Sequence, residues 1–106
     1  DIKRKRKRIK LRYGIDEPIK MAFTDDISHD GIFIKTAAPE QPGLILHLAI
    51  SLPDEKLVLC QGRIHWAKRV PPNMLRLVGK GGMGVKIISY SQGKQDYQDF
   101  VDSLQR

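Results

Sequence analysis

Hydrophobic and polar residues alternate along most of this 106-residue chain, the pattern of strands that bury one face. The alternation predicts six strands, at residues 9–13, 19–24, 32–36, 44–52, 56–70 and 82–88, separated by turns rich in Gly, Pro and Asp. In the fourth strand one face carries only apolar residues, which we expect in the core: Leu44, Leu46, Leu48, Ile50 and Leu52. In the fifth strand the residues that share one face are Val58, Cys60, Gly62, Ile64 and Trp66.

Near the C-terminus the apolar period changes to that of a helix. Tyr97, Phe100, Val101 and Leu104 follow the i, i+3, i+4, i+7 spacing and predict an amphipathic helix at about 93–105. Many short strands and one terminal helix indicate a mainly all-β fold, an antiparallel barrel or closed sandwich with the helix packed against it.

The positive charge of the chain is concentrated at its N-terminus. The formal net charge is +7, and residues 1–12 hold eight basic side chains against Asp1 alone. The other 94 residues are therefore neutral overall. We expect residues 1–8 to form a flexible basic arm, followed by a barrel domain at 9–106, because like charges repel until an anion neutralises them.

Composition narrows the class of protein. The lone Cys60 cannot form an internal disulfide, so we read it as a small buried hydrophobe in a reducing compartment. No apolar run approaches the roughly 18 residues of a membrane span, which predicts a soluble, cytoplasmic protein without a membrane partner. The chain begins with Asp1 rather than Met, so we expect that it could be a piece of a longer protein.

Catalytic and metal-binding motifs are not evident. His29, His47 and His65 lack the spacing of metal ligands, and neither Cys60 nor a serine belongs to a known nucleophile motif. We therefore predict no enzyme activity, no metal and no cofactor. Ligand binding is the remaining class of function.

The segment from Asp26 to Gly31 reads as a turn between two strands. One interpretation is structural: Asp26 and Ser28 bond to nearby backbone N–H groups, and Gly31 takes a positive φ. The other is a ligand site. Aspartate accepts from the N–H groups of guanine, a turn holds phosphate, and arginines of the arm pair with guanine or phosphate.

Four motifs together resemble the PilZ domain family. They are Arg4-x-x-x-Arg8, Asp26-x-Ser28-x-x-Gly31, the Ile32-Phe33-Ile34 strand, and Gly82-Met83-Gly84-Val85. The resemblance covers essentially the whole chain. It implies a six-stranded antiparallel β-barrel with a C-terminal α-helix, and binding of the bacterial second messenger cyclic di-GMP.

The resemblance also implies roles for individual residues. Arg4 and Arg8 would grip guanine and phosphate, Asp26 and Ser28 would contact the ligand from the barrel, and Gly31 would permit the turn. Other residues stay open at this point: Arg8 and Arg12 have the same spacing as Arg4 and Arg8. Lys3 or Arg6 could replace or supplement Arg4, and Arg63 and His65 are possible additional contacts.

Three functions follow as hypotheses. The first is a cyclic di-GMP receptor whose arm becomes ordered on the barrel and changes the surface shown to a downstream protein or fused domain. The second is a small barrel that binds nucleic acid non-specifically through its arm. The third is a PilZ-like module for protein interaction that binds no nucleotide. We favour the first, without a specific nucleic-acid partner.

Overall fold

The computed structural model of the chain describes residues 4–71, 73 and 81–104. Within these ranges the strands are β1 (Lys5–Arg6), β2 (Lys10–Gly14), β3 (Lys20–Ile27), β4 (Gly31–Lys35), β5 (Ile45–Ser51), β6 (Leu57–Lys68) and β7 (Gly82–Gln92). A helix that we call α1 spans Lys94–Ser103.

The sheet is antiparallel and closes on itself. Its strand order is β1-β3-β2-β5-β6-β7-β4, and a further pairing of β3 with β4 joins the two ends. Six strands, β2 to β7, form the barrel, and α1 follows them. The predicted six-stranded barrel with a terminal helix is thus confirmed.

The inward faces supply the core, as the alternation predicted. The largest fully buried apolar side chains include Leu11, Tyr13, Ile27, Ile32, Ile34, Leu46, Leu48, Ile50, Ile64 and Met83. Cys60 is buried among them, and burial raises the pKa of its thiol to about 12. The predicted burial of Cys60 in the apolar core is confirmed.

Two residues that we assigned to the core faces are exposed instead. Leu44 lies just before β5 at the rim of the barrel, where its backbone still bonds to Gln41 and Ile64. Trp66 is 45% exposed because the β6–β7 register shifts between Ile64 and Trp66. The extra residue in β6 reverses the side on which the following side chain lies.

At the start of β3 the larger apolar side chains lie on the outside of the barrel, and the smaller side chains lie inside. Ala22 and Thr24 are buried, whereas Ile19 and Met21 are 66% and 56% exposed. The Thr24 hydroxyl donates to the carbonyl of Lys7 and accepts from the amide of Ile9. These bonds fix the inward side of β3, since they satisfy backbone groups between β1 and β2 that the ladder leaves unpaired.

The basic arm contacts the barrel through β1. Lys5 and Arg6 pair with Ile27 and Asp26 of β3, and the Lys5 ammonium donates to the carbonyls of Val101 and Leu104 at the end of α1. A cation is favourable there because the last carbonyls of a helix carry partial negative charge. The alternation did not predict β1, since every residue from 3 to 8 is basic. The mobility of the arm stays a prediction.

Helix α1 holds the β3–β4 turn in place. The buried Tyr97 hydroxyl donates to the carbonyl of Ser28, and the Gln98 amide donates to that of His29. His29 also pairs with Asp102 at 2.5 Å.

No helix among the described residues is long and apolar enough to cross a membrane.

Tyr97 makes the stability of the fold sensitive to alkali. Burial raises the pKa of Tyr97 above its usual range. Because the folded-state pKa exceeds that of the unfolded chain, this stabilisation is complete below about pH 10 and is lost as the pH rises further. Tyr97→Phe should cost about 1 kcal/mol at neutral pH through the lost hydrogen bond and should reduce the alkaline loss, measured by urea unfolding.

The matched control is Tyr90→Phe, whose hydroxyl is half-buried and accepts from Gln98. This variant should keep most of the alkaline loss. Equal loss in the wild type and in Tyr97→Phe would contradict the prediction.

Candidate functional site

Two β-bulges shape the outer face of the barrel at one end. The β3–β4 register shifts between Thr24 and Asp26, and the β6–β7 register shifts between Ile64 and Trp66. Each bulge places two successive side chains on the outside, Asp25 with Asp26 and His65 with Trp66. A bulge re-aims side chains in this way and often lies beside a site.

The bulged strands are connected by a row of paired residues that crosses four strands. Asp26 pairs with Phe33, Phe33 with Gly84, and Gly84 with Trp66. The row therefore runs from an acidic side chain on β3 to an aromatic side chain on β6. Gly84 on β7 lies between Phe33 and Trp66 and has no side chain to separate their rings.

The indole of Trp66 lies across Gly84 and reaches Phe33. A Cβ at position 84 would overlap the Trp66 indole nitrogen. The two rings stack with centroids 5.3 Å apart and an interplanar angle of 21°. Phe33 is buried beneath, whereas Trp66 stays half-exposed. The outcome is a rigid aromatic platform on the barrel surface, of the kind on which a nucleobase stacks.

Arg4 stands over this row and forms an ion pair with Asp26. Its guanidinium nitrogen is 2.7 Å from the Asp26 carboxylate, with about half of the arginine side chain and a quarter of the aspartate side chain exposed. Arg6 makes a longer contact of 3.5 Å with Asp25. The β3 bulge thus supplies the two carboxylates to which the arm attaches.

Two clefts flank Arg4 and Trp66. The first has a volume of about 270 Å³ and is lined by Arg4, Ser28, Asp30, Gly31, His65, Trp66, Gly84, Val85 and Lys86. The second, of about 200 Å³, is lined by Arg4, Asp25, Asp26, Phe33, Trp66 and Lys68. Each cleft therefore combines the indole with arginine and lysine side chains, a set that suits an anionic aromatic ligand.

The predicted turn is shorter than the sequence indicated. Asp26 lies within β3 rather than opening the turn, because the strand continues past the bulge to Ile27. Ser28 is buried, its amide donates to the carbonyl of Gly31, and its hydroxyl is 3.4 Å from Asp30. Ser28 thus braces the turn at the base of the first cleft.

The expectation of a positive φ at Gly31 was wrong. Gly31 begins β4, and the described glycines with positive φ are Gly43, Gly82 and Gly93. A Cβ at Gly31 would be 3.4 Å from the Ser28 hydroxyl. Its missing side chain therefore widens the wall of the first cleft instead of allowing a left-handed backbone.

The structure separates the two arginines of the predicted motif. Arg8 lies with its guanidinium 4.0 Å from the centre of the Phe23 ring, outside the linings of both clefts. The contact is a cation–π interaction, worth about 0.5–1 kcal/mol at an exposed site. Lys3 lies outside the described residues.

The two additional candidates on β6 have different positions. His65 lines the first cleft. Arg63 donates to the carbonyl of Gly43 and is not part of either cleft lining. Trp66 was not predicted as a site residue, because regular alternation placed it on the core face. Gly84 on the neighbouring strand was the available signal of a close approach.

The comparison with protein families identifies the fold. The PilZ domain model matches residues 3–103. The chain belongs to the PilZ domain family. The matched range covers Arg4 and Arg8, the Asp26-x-Ser28-x-x-Gly31 motif and all of α1, so the PilZ resemblance seen in the sequence is confirmed.

A solved PilZ-fold structure shares the architecture. The chain is similar to the Bacillus subtilis inhibitor of motility, MotI/DgrA, with a TM-score of 0.75 and 19% sequence identity. The match covers 96% of this chain and 49% of the other, so the chain spans about half the length of that structure. No curated protein sequence matches significantly.

Gly84 is the position from which the platform can be tested in this PilZ domain. Gly84→Ala should displace the Trp66 indole and cost about 1–3 kcal/mol, since the added methyl overlaps it. Trp66 is the single tryptophan, so its fluorescence reports the change directly. We expect a red-shifted emission in the folded variant.

Gly31→Ala is the matched control, since its methyl would meet the Ser28 hydroxyl at 3.4 Å without reaching the indole. Its emission should equal that of the wild type. Unchanged emission in Gly84→Ala would show that the indole does not lie over the backbone of β7.

Proposed function

We propose that this PilZ domain is a receptor for cyclic di-GMP and has no catalytic role. The observation that carries the proposal is the convergence of Arg4, Asp26 and Trp66 on two adjoining clefts, in a chain whose family implies this ligand. A guanine base and a phosphate need these three chemistries: a carboxylate acceptor, an aromatic face and a fixed cation.

Each group would meet a different part of the ligand. The Asp26 carboxylate would accept from N1 and N2 of guanine, whose ring would stack on Trp66. Arg4 would pair with the O6 and N7 edge or with a phosphate oxygen. Lys86 and Lys68, one in each cleft, would attract the phosphates. Ser28 and Gly31 would act through the shape of the first cleft.

Binding would require the arm to exchange partners. Arg4 is already paired with Asp26, so each neutralises the other until the ligand takes both. Arg8 would have to leave Phe23 to approach the clefts. Since β1 already pairs with β3, we infer that the ligand shifts the position of the arm along the barrel as well as ordering it.

The consequence would be a changed surface for a protein partner or a fused domain. Residues 4–8 connect the clefts with the end of α1 through Lys5, so a shift of the arm alters two faces of the barrel. A regulatory role in the cytoplasm fits this arrangement. The similar MotI/DgrA structure is described as an inhibitor of motility, which is consistent with an output through protein contact.

Calorimetric titration with cyclic di-GMP tests the proposal. Arg4→Ala, Arg8→Ala and Trp66→Ala should each weaken binding by about tenfold or more, since each removes about 1.4 kcal/mol or more of contact. Asp26→Ala should weaken it less, because the variant also frees Arg4. Stacking of guanine on the indole should quench Trp66 fluorescence.

Arg12→Ala is the matched control, because Arg12 has the alternative motif spacing but lies exposed on the outer face of β2. Its affinity should stay within about threefold of the wild type. A wild-type affinity in both Arg8→Ala and Asp26→Ala would overturn the proposal.

Nucleic-acid binding is the second candidate, favoured by the +7 charge of residues 1–12 and by the exposed Trp66. It predicts a steep fall of affinity with salt and no preference for cyclic di-GMP over single-stranded RNA. Both ligands should be titrated at several salt concentrations. A folded chain that binds neither would point to the third candidate, a module for protein interaction.

A further inference from the structure

The outer face of the β2–β3 hairpin carries a row of three apolar residues. Ile19 lies just before β3, and Met21 and Phe23 follow at alternate outward positions on β3. Ile19 and Met21 are among the most exposed large hydrophobics of the described residues, whereas Phe23 is partly buried. Strands normally turn such residues inward, and an exposed apolar row on a folded domain indicates an interaction surface. This row lies away from both clefts, whose linings contain none of its members.

The charges around the row are separated by sign. Beyond Ile19, the β2–β3 loop carries Asp16 and Glu17 and forms a groove of about 490 Å³. At the other end, the Arg8 guanidinium lies 4.0 Å from the centre of the Phe23 ring, and Phe23 is flanked by Lys10 on β2 and Lys35 on β4. Arg12 is paired with Met21 in the middle of the row. The surface therefore runs from acidic through apolar to basic. We call these residues the hairpin stripe.

The charged side chains of the hairpin stripe have no ion-pair partner in the part of the chain that the structure describes. They are Asp16, Glu17, Lys10, Arg12 and Lys35. In the same loop region Lys20 and Glu40 do pair, at 3.2 Å, and so cancel each other. The acidic and basic ends are consequently available to another molecule.

We propose that the hairpin stripe is the contact surface for a second copy of this chain. A twofold axis through Met21 would place Ile19 of one copy on Phe23 of the other. The same axis would place the acidic loop of each copy on the basic end of its partner. Apolar contact and charge complementarity are then satisfied together, which is the requirement for an isologous interface.

Other occupants fit the surface less well. An anionic membrane would be repelled by Asp16 and Glu17, which lie close to the exposed Ile19. A purely acidic partner would leave the same loop without a counter-charge. Only a partner with both signs at the same spacing complements the whole stripe, and this chain carries such a surface itself.

Sedimentation equilibrium of the 106-residue chain tests the proposal. We expect a reversible monomer–dimer equilibrium that weakens with added salt, because the charge pairs at the ends are screened. Met21→Glu should raise the dissociation constant by about tenfold or more, since it buries a charge at the centre of the interface. The matched control, Ile88→Glu, replaces an apolar residue that is 46% exposed on β7 and should leave the equilibrium unchanged.

A charge exchange distinguishes a second copy from any other partner. Asp16→Lys with Glu17→Lys makes both ends basic, and Lys10→Glu with Lys35→Glu gives both ends a net negative charge. Each double variant alone should lose self-association by about tenfold or more, and an equimolar mixture should recover the wild-type affinity within about threefold. A monomeric wild type at every concentration, or a mixture that stays monomeric, would overturn the proposal.

Discussion

The candidate site depends on the place where Trp66 lies over the backbone of Gly84. In a regular strand Trp66 would share the inward face with Cys60 and Ile64. The bulge at His65 turns it outward, and the missing side chain at Gly84 lets it lie flat until it stacks on Phe33. Since Phe33 pairs with Asp26, the same contact fixes the distance between the aromatic platform and the carboxylate. The site therefore arises from one glycine and two bulges rather than from a dedicated loop.

The position of the basic arm also depends on a bulge, the one in β3. Eight basic side chains within twelve residues repel one another, and they approach a neutral barrel only where carboxylates or helix carbonyls compensate them. The bulge at Asp25 supplies two carboxylates on the outside of β3, and Lys5 finds the end of α1. The outward turn of Asp26 thus serves both the arm and the clefts. A ligand that binds Asp26 competes directly with Arg4, which couples occupancy of the site to the course of the arm.

Alternation predicted the six barrel strands, and helical spacing predicted the terminal helix, because the side-chain period depends on local geometry alone. It failed wherever one inserted residue reverses that period. Trp66 was placed on the core face for this reason, and Asp26 was placed in a turn although β3 extends to Ile27. Strand β1 could not be predicted, since a run of Lys and Arg has no apolar phase. The motif residues were found by resemblance, but their positions were not: Arg8 lies on Phe23, and Ser28 is buried beneath the turn.

Strand β3 connects the two surfaces of this PilZ domain. Asp26 and the clefts lie at its C-terminal end, and Met21 of the hairpin stripe lies in its N-terminal half, with Ile19 just before the strand. Arg8 stands between them, on Phe23, about 10 Å along the strand from Asp26. If Arg8 joins the ligand, as the family motif implies, the last member of the apolar row loses its cation and becomes more exposed. This greater exposure favours the contact between two copies, so ligand occupancy and self-association would strengthen one another through a single side chain.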